Sequence, residues 1–166
     1  MATRYAAQYT NTIAGTNRLA EGLQHRGNLI CLSDSYTAVS GDTAGSTVDF
    51  FTIPANAVFR YGILEFSAGT ATDEETLKLG LFGIGDATTY DGTTANDDDF
   101  FLSATLIDQD SSTAGSYVTF GSGAGADGRP SGGYKVTRPA ILRGTTGTAT
   151  LAVGQIIRVT VFLSIE

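Results

Sequence analysis

The chain has 166 residues and a formal net charge of −7, and charged side chains make up only 16% of it, against ~25% in an ordinary globular domain. That length suits a single domain, able to bury roughly 70% of its unfolded surface. The acidity, with arginines scattered singly at Arg4, Arg18, Arg26, Arg60, Arg129, Arg138, Arg143 and Arg158, argues against nucleic acid, whose backbone needs gathered cations.

The first 27 residues are polar and aperiodic, and predict an extended N-terminal arm (1–27) that orders only against a partner. Within it, Thr16 to Glu21 has the flavour of a helical turn that Gly22 ends. No apolar segment follows Arg4, and no run of ~18 apolar residues offers a membrane span, so neither export nor a membrane is expected and the chain should be made in a cytosol.

From residue 28 to 166 period-two alternation recurs. Strands are predicted at Asn28 to Tyr36, Thr47 to Ile53, Val58 to Phe66, Thr76 to Phe82, Phe100 to Leu106 and Ser116 to Phe120. Further strands follow at Tyr134 to Leu142 (broken by Pro139), Thr148 to Val153 and Ile157 to Ile165. The two strongest signals are Leu77, Leu79 and Leu81, and Ile157, Val159, Val161, Leu163 and Ile165, each spaced by two. Turn-rich stretches such as Ser40-Gly41-Asp42 and Tyr90-Asp91-Gly92 separate the strands, as antiparallel connections require. The expected fold is all-β: an antiparallel, jelly-roll-like β-sandwich. Phe59 to Phe66 carries apolar residues on both faces, so one face should pack on the opposite sheet and the other against a neighbouring subunit.

Cys31 has no second thiol to pair with, and no histidine cluster for a zinc site; within Leu29-Ile30-Cys31-Leu32 it reads as a small buried hydrophobe. Gly123-Ala124-Gly125-Ala126-Asp127-Gly128 matches a dinucleotide fingerprint in letters only, because Arg129-Pro130-Ser131-Gly132-Gly133 cannot open the helix that would face a pyrophosphate. Asn96-Asp97-Asp98-Asp99 lacks the spacing of a calcium loop and reads as a solvated acidic loop, as does Asp73-Glu74-Glu75. The acids inside predicted strands, Asp34, Asp49, Glu65 and Glu166, show nothing that pairs them for glycoside hydrolysis, and the sole histidine, His25, has no serine in an elbow-like frame. No catalytic residue, cofactor or metal is expected. Most aromatics read as core, with Tyr90, Tyr117 and Tyr134 beside loops as candidates for surface contact.

The order of features from Phe50 onward resembles small virion proteins of tailed bacteriophages. The residues that carry this are Ile53-Pro54-Ala55-Asn56-Ala57 leading into a strand, Leu77-Lys78-Leu79-Gly80-Leu81-Phe82-Gly83, the acidic segment, Phe100-Phe101-Leu102-Ser103-Ala104, and the closing strand Ile156 to Ile165. The resemblance covers about two-thirds of the chain, is one of packing and turns, and matches Met1 to Ser40 less clearly. It implies a capsid decoration or cement protein on the exterior of the virion: a homotrimer that binds the major capsid protein of the assembled head. Arg4, Tyr5, Tyr9, Arg18 and Arg26 of the arm are the expected capsid contacts. The alternative is a receptor- or carbohydrate-binding domain of a head or tail fibre; an enzyme stands third.

Overall fold

A computed structural model describes residues 3–5, 29–67, 69, 75–85, 87–107, 116–121, 134–147 and 149–165. Among the described residues are ten strands: β1 (Thr3–Tyr5), β2 (Leu29–Thr37), β3 (Thr47–Ile53), β4 (Ala57–Phe66), β5 (Thr76–Gly83), β6 (Asp97–Leu106), β7 (Ser116–Phe120), β8 (Tyr134–Lys135), β9 (Ala140–Thr146) and β10 (Ile156–Ile165). Among the described residues there is no helix.

The strands form two sheets, one ordered β1-β3-β9-β5-β6 and the other β2-β10-β4-β7, with β8 also on β4. Apart from the short parallel pair β1–β3, every pairing is antiparallel. The pairs nest: β2 lies against β10, β3 against β9, β4 against β7, and β5 against β6. A long hairpin rolled across two sheets has this order, consistent with the expected jelly-roll-like sandwich.

Alternation explains the core. Leu77, Leu79 and Leu81 from the first sheet, and Ile157, Val159, Val161 and Leu163 from the second, are fully buried between the layers. Removing each from water stabilises the fold by roughly 2 kcal/mol before entropy is counted. Phe59 stacks on Phe101 of the facing sheet with ring centroids 4.2 Å apart, and Phe120 closes the group from β7. Gly62 stands opposite Phe120 in register, and a Cβ there would fall within the Phe120 ring, so the missing side chain is what admits the aromatic.

Register shifts break the period in β3 and β4, and twice more where β6 pairs with β5. Phe50 is the extra residue between Asp49 and Phe51, which lets both phenylalanines turn inward; Arg60 is the extra residue in β4. Three expectations about where strands lie need correction. The described part of the strand expected at Thr148 to Val153, residues 149–153, is not a strand: Leu151 donates its N–H to Asp42 of a neighbouring loop, and the chain turns at Val153 and Gly154. Tyr134 to Leu142 is two strands in different sheets, because the chain crosses over around Pro139, which has no N–H for a ladder. Asp97 to Asp99 is not a loop but the start of β6, where Asp97 pairs with Leu81. The Thr16 to Glu21 segment lies outside the described residues, as does most of the expected arm; Thr3–Tyr5 runs parallel along β3, Thr3 opposite Thr47 and Tyr5 opposite Asp49.

Candidate docking face

The second sheet turns one face to the core and the other outward. On the outward face Tyr61 of β4 lies in register with Phe162 of β10, and their rings stack with centroids 4.4 Å apart. Tyr61 remains 40% exposed. Next along are Ile63 opposite Thr160, and Glu65 opposite Arg158 at 3.9 Å. Tyr117 of β7 stands beside Glu65 and is 70% exposed. The β2 side is small and polar, with the Ser33 hydroxyl bonded to that of Thr160 at 2.8 Å. Aromatic and arginine side chains around this ring pair have the composition of a protein-binding surface, with Lys135 of β8 exposed farther along the face opposite Val58, and stacked rings partly left in water gain when a partner covers them.

Cys31 also lies on this face, opposite Phe162, and is exposed, which corrects the buried reading. Ile30 takes the inward position, so its neighbour points out; an apolar run does not override alternation. Partial desolvation pushes the Cys31 thiol above its ordinary value, so although solvent reaches it, little thiolate forms.

Asp97, Asp98 and Asp99 bring carboxylate oxygens within 4.8 Å of one another at the outer edge of the first sheet. Lys78 donates to Asp98 at 3.0 Å, and this bond raises the lysine's pKa. Asp99 is raised in turn, first by its hydrogen bond with Asp97 and then by burial and the like charges of Asp97 and Asp98. Because Asp99 holds its proton more tightly folded than unfolded, stability declines as pH rises from its ordinary 3.8 through the raised folded value. Asp99→Asn is therefore expected to stabilise the protein by about a few tenths of a kcal/mol at neutral pH, with the gain fading in acid. Urea denaturation at both pH values checks it; an equal gain in acid would exclude this cause.

Asp91 organises the neighbouring loop. The backbone amide of Thr94, then that of Thr93, with both threonine hydroxyls, donate to its carboxylate and hold it far below the usual carboxylate range. A cleft of ≈ 250 Å³ beside this loop is lined by Ile84, Thr89, Tyr90 and Arg138, among others, and its described lining holds no carboxylate pair and no nucleophile beside a base.

Of the residues singled out from sequence, Arg4 and Tyr5 lie in β1, while Tyr9, Arg18, His25, Arg26 and the glycine-rich loop lie outside the described residues. Tyr117 is on the surface, but Tyr90 is buried edge-on against Phe100 and Tyr134, and Tyr134 is half-buried in that group. Glu75, expected in a solvated loop, is buried where β5 begins. Asp49 is buried and paired with Arg143 of β9, a partner that sequence spacing did not reveal. Tyr61 and Phe162 are not among the contacts expected from sequence, although the two-faced apolar pattern of Phe59 to Phe66 is their signal.

No protein-family profile matches the sequence, and no curated protein is similar to it. The fold is similar to solved structures. A chain of the capsid of Ralstonia phage GP4 superposes with a TM-score of 0.61 at 19% identity, over 84% of this chain and 86% of that one. A chain of the acid-stable capsid of Helicobacter pylori bacteriophage KHP30 gives 0.54 at 15% identity, over 84% and 89%. A chain of the cyanophage Pam1 capsid asymmetric unit gives 0.52 at 17% identity, over 92% and 96%. At these identities the likeness is one of fold, and it extends over most of both chains.

Proposed function

We propose that this chain is a structural protein of a phage virion, a decoration or cement protein that binds the exterior of the assembled head and bridges neighbouring major capsid proteins as a homotrimer. The observation that carries the reading is the likeness of most of the chain to three phage capsid chains. The stacked Tyr61 and Phe162 on an outward sheet face give it an area to dock with. In this reading the amino-terminal arm, with Arg4, Tyr5, Tyr9, Arg18 and Arg26, reaches the shell, where arginine suits a protein surface.

The role needs no bond-making chemistry. A protein that binds the assembled lattice better than free subunits stabilises the lattice by mass action, and several weak contacts on one oligomer multiply through effective concentration.

The test is binding of the purified protein to heads that lack it, followed by image reconstruction of the decorated particle. Saturable binding at repeated lattice positions is expected, and failure to bind would refute the proposal. Tyr61→Ser with Phe162→Ser is expected to weaken that binding about tenfold while the protein stays folded, because aromatics that a partner covers at an interface centre commonly carry ~1 kcal/mol or more. Unchanged affinity would remove this face from the contact.

A further inference from the structure

The corner where β2 ends and β10 begins has a character of its own. Between Asp34 and Asp49 the only acid is Asp42, and between Arg143 and Arg158 there is no ionisable residue at all. The two segments are tied together: Ala38 donates to Gln155 at 2.8 Å, Gly154 to Ala38 at 2.9 Å, and Leu151 to Asp42 at 3.0 Å.

Asp42, the one charge, is buried and engaged. Its carboxylate accepts the Tyr36 hydroxyl at 2.6 Å and the Val39 amide at 2.8 Å. Gln155 is also buried and donates to the Ile107 carbonyl at 3.0 Å. Inward-facing polar groups thus fix both loops from beneath. What the corner shows to water is uncharged: Val39, Val153 at 74% exposure and Ile156, beside the hydroxyls of Ser40 and Thr43.

We propose that this corner is a self-contact, in which Val39, Val153 and Ile156 of one copy meet the same residues of another across the symmetry axis of an oligomer. The inference rests on the self-association proposed above and names the surface that makes it. Charge selects the occupant. Copies bearing −7 each repel one another, and that repulsion is least where neither copy brings an ionised side chain to the surface. Residues beside the axis of a closed ring meet their own copies, which an uncharged patch tolerates, and preorganised loops spare the ordering entropy of association.

Sedimentation of the full chain, without heads, tests it. The wild type is expected to sediment as an oligomer. Val153→Lys and Val153→Glu should each weaken association about a hundredfold, since like charges then face each other across the axis. An equimolar mixture of the two variants should recover a mixed oligomer, which misfolded variants could not do. A monomeric wild type, variants that sediment like the wild type, or a mixture that does not recover would each overturn the self-contact. The head-binding reading fails separately: Val153→Lys that associates normally but no longer binds heads would assign the corner to the shell.

Discussion

Phe59→Ala is expected to lower the free energy of unfolding by about 3–5 kcal/mol, the range for emptying a phenylalanine site in a packed core. The ring is fully buried between sheets, 4.2 Å from Phe101 of β6 and 5.8 Å from Phe120 of β7, measured between centroids. Gly121 closes over it with φ 86°, at a place where a Cβ would strike the Phe59 ring. Once the ring is gone, Phe101 and Phe120 cannot easily close the gap. They belong to opposite sheets, each pinned by its own ladder, with centroids 6.2 Å apart. The stacking lost with the ring adds about 1 kcal/mol to the transfer and cavity contributions. Guanidinium denaturation should show a lower midpoint with an unchanged slope. A loss under about 1.5 kcal/mol would mean that the cluster collapses around the hole. The outward Phe162 makes the contrast: its ring also stacks, on Tyr61, but solvent lies above it, so its truncation should affect docking far more than stability.

How much of this was legible in the sequence depends on how far apart the deciding residues lie. Strands set by local alternation are legible: Ser116–Phe120 matches its expected bounds, and the leucines of β5 face inward as their spacing requires; Thr47–Ile53 also matches its bounds, but its bulge at Phe50 does not show in the spacing. Features set by a distant partner are not. The start of β6 at Asp97 depends on Leu81, and the fate of Thr148 to Val153 depends on Asp42, whose carbonyl takes the Leu151 amide in place of a ladder. Tyr90 borders a turn, which reads as exposure, yet Phe100 and Tyr134 enclose it. The docking face was half legible. The apolar residues on both sides of β4 pointed to a covered outer face, but its register against β10, which sets Phe162 on Tyr61, emerges only from the pairing of the two strands. The uncharged corner was written in two segments more than a hundred residues apart, and neither is unusual alone.

Asp49→Asn is expected to cost about 3 kcal/mol, the loss seen when one member of a buried ion pair is removed. Asp49 sits opposite Arg143 in the β3–β9 ladder, and the guanidinium grips it with two donors: Nε to Oδ1, and Nη2 to Oδ2 at 2.9 Å. The guanidinium also lies over the Phe82 ring, 4.5 Å from its centroid, so three strands of the first sheet share the contact. Asparagine keeps the shape but removes the charge and turns an amide donor toward another donor, leaving a cation of which little reaches water. The pair stands directly before the bulge at Phe50, and β1 lies along β3 at Thr47, Val48 and Asp49, so it steadies the strand on which the amino-terminal segment lands. Attraction and desolvation nearly cancel for a buried pair taken whole, so Asp49→Leu combined with Arg143→Met should come within about 1 kcal/mol of the wild type. Denaturation of the two single variants and the double variant closes the cycle. A double variant as unstable as Asp49→Asn would show that it is the geometry of the fork, and not an abandoned charge, that holds β3 to β9.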